Sequence, residues 1–263
     1  MELMVIENVP EKALQFEECG VDRIFIDLEI LGKDERQGHL NTVISRHTID
    51  DIRAVKKVLT KAKLLVRVNP INPESEQEIK GVISSGADVL MLPMFTTQSE
   101  VEAFIKFVDK KAKVNLLLET PQAAIRIDEI LSVPGIDEIH IGLNDLHLAF
   151  GLNMMMEMYL GGFLENLSKK IKFAKISLGI GGIAPLDGGI INGKLVAAEA
   201  TRLGCERFIL SRAFPKDDPA LFKKNVKELK QYCAEVEKWP NHKKIENLML
   251  LKNSILKNRV VPK

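Results

Sequence analysis

Aromatic residues and cysteines are scarce in this sequence of 263 residues, and each shortage excludes a class of site. Aromatic residues make up 5% of the chain, which argues against a surface that stacks the bases of single-stranded nucleic acid. Cys19, Cys205 and Cys233 are widely spaced and form no CxxC pair, so neither a disulfide framework nor a thiolate zinc site is indicated. We therefore expect reduced thiols and a cytoplasmic location.

Long apolar runs and an excess of charge of one sign are also missing. No stretch approaches about 18 uninterrupted apolar residues, and the opening MELMVIENVPEK lacks the basic start and apolar middle of a signal peptide. Lysine and arginine number 37 and the acidic residues 36, so charge favours neither nucleic acid nor an anionic membrane as a partner. With 46% hydrophobic and 28% charged residues, the composition predicts a soluble globular protein with a sizeable core.

What the sequence does contain is a series of short runs rich in Val, Ile and Leu, separated by helical patterns with charged faces. The runs are nearly continuous, which is typical of parallel strands covered on both faces. Eight strand-and-helix units predict an α/β fold, a (β/α)8 TIM barrel, whose usual length is about 250 residues. A doubly wound sheet is the alternative, but no GxGxxG follows the first strand. The predicted strands cover residues 3–7, 23–29, 63–69, 89–93, 114–120, 138–143, 177–182 and 207–211.

The end of the chain differs from the rest. We expect residues 1–240 to form the barrel as a catalytic domain and residues 241–263 to form a basic C-terminal helical extension, beyond the eight units that a barrel needs. A set of apolar side chains in this extension falls on one helical stripe and would dock on the outer wall or on another subunit. The stripe consists of Ile245, Leu248, Met249, Ile255 and Leu256.

Residues 179–193 form a glycine-rich stretch, GIGGIAPLDGGIING, after the seventh predicted strand. Barrels often hold phosphate at this place, so the stretch is a candidate phosphate cradle. No Lys-Ser/Thr follows it as in a P-loop, and glycine also serves tight turns. Both interpretations are open on the sequence alone.

Charged side chains stand at the C-terminal ends of several predicted strands, where barrel enzymes place their chemistry. They are Asp27, Glu29, Arg67, Glu119 and Asp145. Two carboxylates on adjacent strands suit a hard divalent ion that keeps several waters and takes other ligands from the substrate, such as a catalytic magnesium or manganese ion. An arginine supplies a planar, permanently charged fork for a substrate carboxylate or an enolate. The bland alternative for each residue alone is a charge that merely faces water.

Four segments carry a resemblance to a known family. They are IDLE (26–29), LLVRVNP (64–70), ADVLMLPMFTTQSEVEAF (87–104) and LLLETPQAAIRIDEILSVPGIDEIHIGLNDLHLAFG (116–151), and the similarity extends from about residue 23 to residue 214. Together they resemble the HpcH/HpaI aldolase and citrate lyase β-subunit family, whose members are metal-dependent barrels that make or cleave a carbon–carbon bond next to an enolate.

The resemblance implies roles for residues of this chain. Glu119 and Asp145 match the metal carboxylates, and Arg67 matches the catalytic arginine that holds the keto acid and stabilises its enolate. Backbone amides near Gly142, Leu143 and Asn144 are expected to receive the substrate carboxylate. Asp27 and Glu29 of the IDLE segment are expected to take part in substrate binding and catalysis, respectively.

The sequence also departs from the family pattern. In the pyruvate aldolases of the family a histidine follows the acid of the second strand, whereas this chain has Ile30 there. His39 lies in the same loop and has the pKa best suited to proton transfer near neutrality, although a histidine exposed to solvent is an equal alternative. Leu143 and Leu117 stand where family members often have Pro and Gln, which leaves the substrate open.

The leading hypothesis is a divalent-metal-dependent carbon–carbon lyase that cleaves or forms a 2-keto acid aldol through a pyruvate-like enolate, with Mg²⁺ or Mn²⁺ as cofactor. An acyl-CoA lyase of the citryl or malyl type is the first alternative. A barrel that binds a small anionic ligand without turnover is the second. We expect a small-molecule substrate and a homo-oligomer, with neither nucleic acid nor membrane as a partner.

Overall fold

A computed structural model describes residues 1–32 and 45–259. Its eight strands are all parallel and pair in chain order, with β8 closing onto β1, so the predicted TIM barrel is confirmed. The strands are β1 (Glu2–Ile6), β2 (Arg23–Asp27), β3 (Lys63–Arg67), β4 (Val89–Leu92), β5 (Lys113–Leu118), β6 (Glu138–Ile141), β7 (Ser177–Ile183) and β8 (Arg207–Leu210).

Helices cover the outside of the barrel between the strands. They are α1 (Pro10–Glu18), α2 (Ile49–Val58), α3 (Ser75–Ser84), α4 (Gln98–Val108), α5 (Pro121–Ile125), α6 (Ile127–Leu131), α7 (Leu143–Ala149), a 3₁₀ helix (Met155–Tyr159), α8 (Phe163–Phe173), α9 (Gly193–Leu203), α10 (Pro219–Glu237) and α11 (Asn241–Asn258). Thr48 caps α2 by accepting a hydrogen bond from the Asp51 amide, and Asp51 accepts in return from the Thr48 amide. No helix among residues 1–32 and 45–259 is long and apolar enough to cross a membrane.

Two apolar cores hold the barrel together, because alternate side chains of each strand point inward and outward. The larger core lies between strands and helices and includes Leu3, Ile24 and Leu64. The smaller one fills the inside of the barrel and is built from Met4, Phe25, Leu65, Val89, Met91 and Leu117. The interior is therefore packed, which leaves the rims for polar chemistry.

A buried ionic cluster closes the N-terminal end of the barrel. Arg23 donates from Nη1 and Nη2 to the Glu138 carboxylate at 2.6 and 2.8 Å, and Asn115 donates to it at 2.9 Å. Arg207 Nε lies 3.5 Å from Glu138 Oε2. We call these four residues the ionic floor.

Several predicted strands run past the observed ends, and the residues beyond the ends have other partners. β2 ends at Asp27 because the Glu29 amide turns back to donate to the Asp27 carboxylate. β5 ends at Leu118, since Thr120 caps α5. β6 ends at Ile141, and helix α7 begins at Leu143.

The C-terminal helix α11 docks on the outer wall, although by a different face from the predicted stripe. Leu251 and Ile255 are fully buried, and Asn247 donates from Nδ2 to the Leu195 carbonyl of α9 at 3.1 Å. Of the predicted stripe only Ile255 is buried. Ile245, Met249 and Leu256 are exposed and Leu248 is half-buried.

Candidate active site

The structure brings the predicted charged residues of four strand ends to one rim of the barrel. Asp27 and Arg67 are the last residues of β2 and β3. Glu119 directly follows β5, and Asp145 lies in the first turn of α7, just after β6. Because all strands are parallel, these positions belong to the C-terminal rim, where barrel enzymes hold their active sites.

Asp27 and Arg67 are register partners and form a two-pronged ion pair. Arg67 donates from Nε to Asp27 Oδ1 and from Nη2 to Asp27 Oδ2, each at 2.8 Å. Burial alone lowers the pKa of Arg67, but Asp27 and Glu29 outweigh burial and raise this pKa above its usual value. Arg67 is thus a fixed, permanently charged fork.

Glu29 belongs to the same cluster. Its side chain is buried, and its Oε2 lies 3.3 Å from Arg67 Nη2. The loop after it is held in place by Asn69, whose Oδ1 accepts from the Ile30 and Leu31 amides at 2.9 and 3.0 Å. The Glu29 amide itself donates to the Asp27 carboxylate. The backbone that carries Glu29 is therefore held at this residue and at the two residues after it, which keeps the carboxylate beside the arginine.

Glu119 is held by the turns that follow β4 and β5. The Met94 amide donates to Glu119 Oε1 at 3.2 Å, and Met94 adopts a left-handed backbone with φ of 52°. A non-glycine residue in this region stores backbone strain, which is common at functional sites. Thr120 donates from Oγ1 to the Phe95 carbonyl at 2.7 Å and also accepts from the Ala123 amide. The Glu-Thr pair of the sequence therefore combines a site carboxylate with the residue that anchors it.

Gly142 makes room for the Glu119 side chain. A Cβ at position 142 would lie 2.8 Å from both Cβ and Oε2 of Glu119, and 3.2 Å from Leu117 Cδ1. Such contacts are far inside the usual 3.5–4.0 Å separation of carbon atoms. The Gly142 amide donates to the Leu118 carbonyl at 3.0 Å, which ties the start of α7 to β5.

Burial and neighbouring carboxylates raise the pKa of Glu119 well above its usual value. Burial is the largest cause, and the charges of Asp145 and Glu29 add to it, whereas Arg67 and the Met94 amide oppose it. Glu119 and Asp145 therefore lie close enough for the Asp145 charge to act on Glu119. The charges that act on Arg67 are those of Asp27, Glu29 and Glu119. With Asp145 this rim holds four carboxyl groups and one arginine, an excess of acidic groups that a cation would offset.

The donor set fits a hard divalent ion. Carboxylate oxygens are the ligands that Mg²⁺ and Mn²⁺ prefer, and two carboxylates are enough when water and substrate oxygens supply the rest. Within residues 1–32 and 45–259, no group of three or more His, Cys, Asp or Glu side chains is placed to hold a metal. Glu119 and Asp145 could therefore hold an ion whose remaining ligands come from outside the described protein.

His47 lies beside Asp27 at this rim. Its Nδ1 accepts a hydrogen bond from the Asp27 amide at 3.0 Å, so its ring lies at the end of β2. Nothing in the sequence points to His47, because it follows a long connection without periodicity. The predicted base, His39, lies outside the described residues.

The glycine-rich stretch 179–193 uses its amides internally. The Gly188 amide donates to the Pro185 carbonyl at 2.8 Å, and the Gly193 amide donates to the Gly188 carbonyl at 3.0 Å. The Leu186 carbonyl and Asn192 Oδ1 accept from the Lys194 amide, which belongs to the first turn of α9. These bonds support the interpretation as tight turns and oppose the phosphate cradle.

Sequence comparison assigns the family. The sequence profile of the HpcH/HpaI aldolase/citrate lyase family matches residues 3–159, which is more than half of the chain. The chain belongs to the HpcH/HpaI aldolase/citrate lyase family. The profile covers β1 to β6 and therefore all five charged residues of the site. No protein of curated function matches the chain.

Three solved structures of other proteins share the fold. The HpcH/HpaI aldolase from Desulfitobacterium hafniense DCB-2 superposes with a TM-score of 0.64 at 16% identity, covering 91% of this chain and 94% of its own. An HpcH/HpaI aldolase/citrate lyase family protein from Burkholderia cenocepacia J2315 gives 0.63 at 14% identity, with 88% and 93% covered. The citrate synthase SbnG gives 0.61 at 16% identity, with 89% and 92% covered. At these identities the likeness establishes the fold alone.

Proposed function

We propose that the chain is a divalent-metal-dependent carbon–carbon lyase that cleaves or forms a 2-keto acid aldol through a pyruvate-like enolate. The observation that carries the proposal is the convergence of the carboxylates Glu119 and Asp145 with the fixed fork of Arg67 at one rim of the barrel. Membership of a family of aldolases and lyases supports the same reaction class.

Each residue has a defined task in this proposal. Glu119 and Asp145 would hold Mg²⁺ or Mn²⁺, and the ion would supply Lewis-acid chemistry at the ketone of the keto acid. Arg67, held by Asp27, faces the enolate oxygen and offsets its charge. The amides of Leu143 and Asn144 begin α7, where backbone N–H groups lack intrahelical acceptors, and they receive the substrate carboxylate. The Gly142 amide is engaged with Leu118, so Gly142 serves mainly to give Glu119 space.

In the cleavage direction a base takes the proton of the aldol hydroxyl, the carbon–carbon bond breaks, and its electron pair becomes the enolate. The hydroxyl carbon leaves as an aldehyde, and protonation of the enolate gives the 2-keto acid. Glu29, beside Arg67, is the proposed catalytic carboxylate within the described residues. The role of His39 in proton transfer stays a prediction.

The test is a calorimetric titration of the protein with Mn²⁺ and oxalate, a mimic of the pyruvate enolate. We expect oxalate to bind only when Mn²⁺ is present, and Asp145→Ala to remove this binding. Asp128→Ala, which removes an exposed carboxylate on α6, is the matched control and should bind as the native chain does. Full oxalate binding by Asp145→Ala would overturn the metal assignment.

A substrate panel then defines the reaction. Turnover of 2-keto acid aldols with Mg²⁺ or Mn²⁺ supports the proposed lyase. Turnover of acyl-CoA thioesters alone would move the assignment to an acyl-CoA lyase. Metal-dependent oxalate binding without turnover of either class would move it to a barrel that binds a small anion.

We further propose that the protein is a cytoplasmic homo-oligomer. The three cysteines are free and buried, which suits a reducing compartment. Ile245, Met249 and Leu256 form an exposed apolar face on α11 that could pack against a second copy. Sedimentation velocity checks this: Met249→Glu should reduce the oligomer mass, and an unchanged mass would remove α11 from the interface.

A further inference from the structure

A cavity of about 280 Å³ lies at the ends of β7 and β8, on the same rim as the candidate active site. Three consecutive methionines, Met154–Met156, form one wall, and Ile191 and Val196 contribute to the other. Ser211 and Ala213, which follow β8, also line it. No lining residue that the structure describes carries a charge, so the cavity suits an apolar group.

The cavity adjoins the proposed substrate site through β7. The pairing of β7 with β8 shifts register between Ile180 and Gly182, and a bulge of this kind is frequent beside active sites. A Cβ at Gly181 would lie 3.3 Å from the Leu143 backbone nitrogen, which is part of the proposed carboxylate site. The next residue, Gly182, lines the cavity. The residue beside the proposed carboxylate site and the residue that lines the cavity are therefore consecutive in β7.

The methionine wall is attached to the helix that carries Asp145. The Leu152 amide donates to the His147 carbonyl of α7 at 2.9 Å. The Asn153 and Met154 amides donate to Glu157 Oε1 at 3.0 Å each, which fixes the turn that leads into the 3₁₀ helix. The backbone of this wall is thus held firmly, while the unbranched methionine side chains can adapt to a ligand.

We infer that this cavity binds an apolar substituent on the carbonyl partner of the keto acid, so that the preferred aldol carries an alkyl chain or ring there. The inference rests on the proposed lyase function and names the substrate class of that site. An apolar cavity of about 150 Å³ holds one benzene molecule, so a cavity of this size accommodates a group of roughly six carbons. A hydroxylated or phosphorylated substituent would lose its hydration in this cavity without gaining hydrogen bonds or opposite charges from the protein, so its binding is disfavoured.

The experiment uses oxalate analogues that carry the tail directly. N-alkyl oxamates with tails from methyl to hexyl are titrated into the full-length chain in the presence of Mn²⁺, next to oxalate itself. We expect affinity to rise roughly fourfold for each methylene that the cavity buries, and to level off when the cavity is full.

Two variants locate the tail. Ala213→Phe adds a ring at a position that lines the cavity and should abolish the rise of affinity with tail length. Met155→Ala removes part of the wall and should reduce the rise. Ala234→Phe, at an exposed alanine of α10, is the matched control and should keep the native slope. Thermal melts confirm that each variant is folded.

The outcomes separate the two proposals. Failure of oxalate itself to bind overturns the lyase function and this inference with it. Oxalate binding without any gain from the tail overturns the inference alone. A gain that persists unchanged in both Ala213→Phe and Met155→Ala also overturns it, because the tail would then lie elsewhere.

Discussion

Replacement of Gly142 by alanine is expected to weaken metal binding at the candidate site and to lower the stability of the fold by a similar free energy. The backbone at position 142 has φ of −82°, which alanine can adopt, so the effect comes from the added methyl group alone. That methyl would lie 2.8 Å from Glu119 Cβ and 2.8 Å from Glu119 Oε2. Either the Glu119 carboxylate or the start of α7 has to move. The first is a proposed metal ligand, and the second carries the other one, Asp145.

The magnitudes follow from packing. Carbon atoms in contact lie about 3.5–4.0 Å apart, so the methyl group overlaps Glu119 by roughly 1 Å. Overpacking of this kind costs about 1–3 kcal/mol of the free energy of unfolding. Loss of carboxylate orientation typically weakens metal binding by about 10- to 100-fold, and we expect Mn²⁺ affinity to fall in that range.

The assay is a Mn²⁺ titration followed by urea unfolding of the same samples. Gly81→Ala is the control. Gly81 lies within helix α3, and a Cβ there would lie 3.6 Å from Ile49 Cδ1, an ordinary contact distance. We expect this control to bind Mn²⁺ normally and to gain about 0.5–1 kcal/mol of stability. Native Mn²⁺ affinity in Gly142→Ala would refute the assignment of Glu119 as a metal ligand.

Three further predictions concern charge and pH. The folded-state pKa of Glu119 is raised, so its stabilising contribution is present below pH 4.5 and is lost as pH rises. In urea unfolding with EDTA present, Glu119→Gln should therefore lose less stability than the native chain as pH rises. An identical dependence of stability on pH in both proteins would contradict the burial argument. Arg67→Lys keeps the charge but loses the two-pronged contact with Asp27. It should lower the free energy of unfolding by about 2 kcal/mol and also lower the affinity for oxalate. Native stability together with native oxalate affinity would show that the fork is dispensable. Burial, reinforced by Arg207, lowers the pKa of His140 to about 3, so its stabilising contribution is present above pH 6.5 and is lost as pH falls. His140→Leu should therefore remove about 2 kcal/mol of the difference in unfolding free energy between pH 7 and pH 5. An unchanged difference would mean that His140 is charged in the folded protein.

The sequence predicted all eight strands because a parallel barrel buries both faces of each strand, which leaves continuous apolar runs. The ends of the strands were less predictable. Glu29 and Glu119 are buried like strand residues. Asn69 holds the loop that follows Glu29, and the Met94 amide holds the Glu119 carboxylate, and both partners are distant in sequence. Such contacts leave no periodic pattern.

The rim position of Asp27, Arg67 and Glu119 was predictable, because the ends of parallel strands converge. His47 was not, since nothing in the connection before α2 specifies where its ring lies. The docking face of α11 was missed for another reason. The helix has apolar side chains on more than one face, and only packing selects Leu251 over Met249.

The ionic floor and the candidate active site lie at opposite ends of the same strands, so residues that stabilise the barrel are distant from residues that would bind substrate. Arg23 of the floor and Asp27 of the site are four residues apart on β2, roughly 13 Å along the strand. Substitutions at that separation usually have additive effects on stability. Stability gained at the floor can therefore offset the cost of new side chains around the opposite rim. A barrel built in this way can change its substrate through many single steps while it remains folded, which gives the chain a high capacity to evolve.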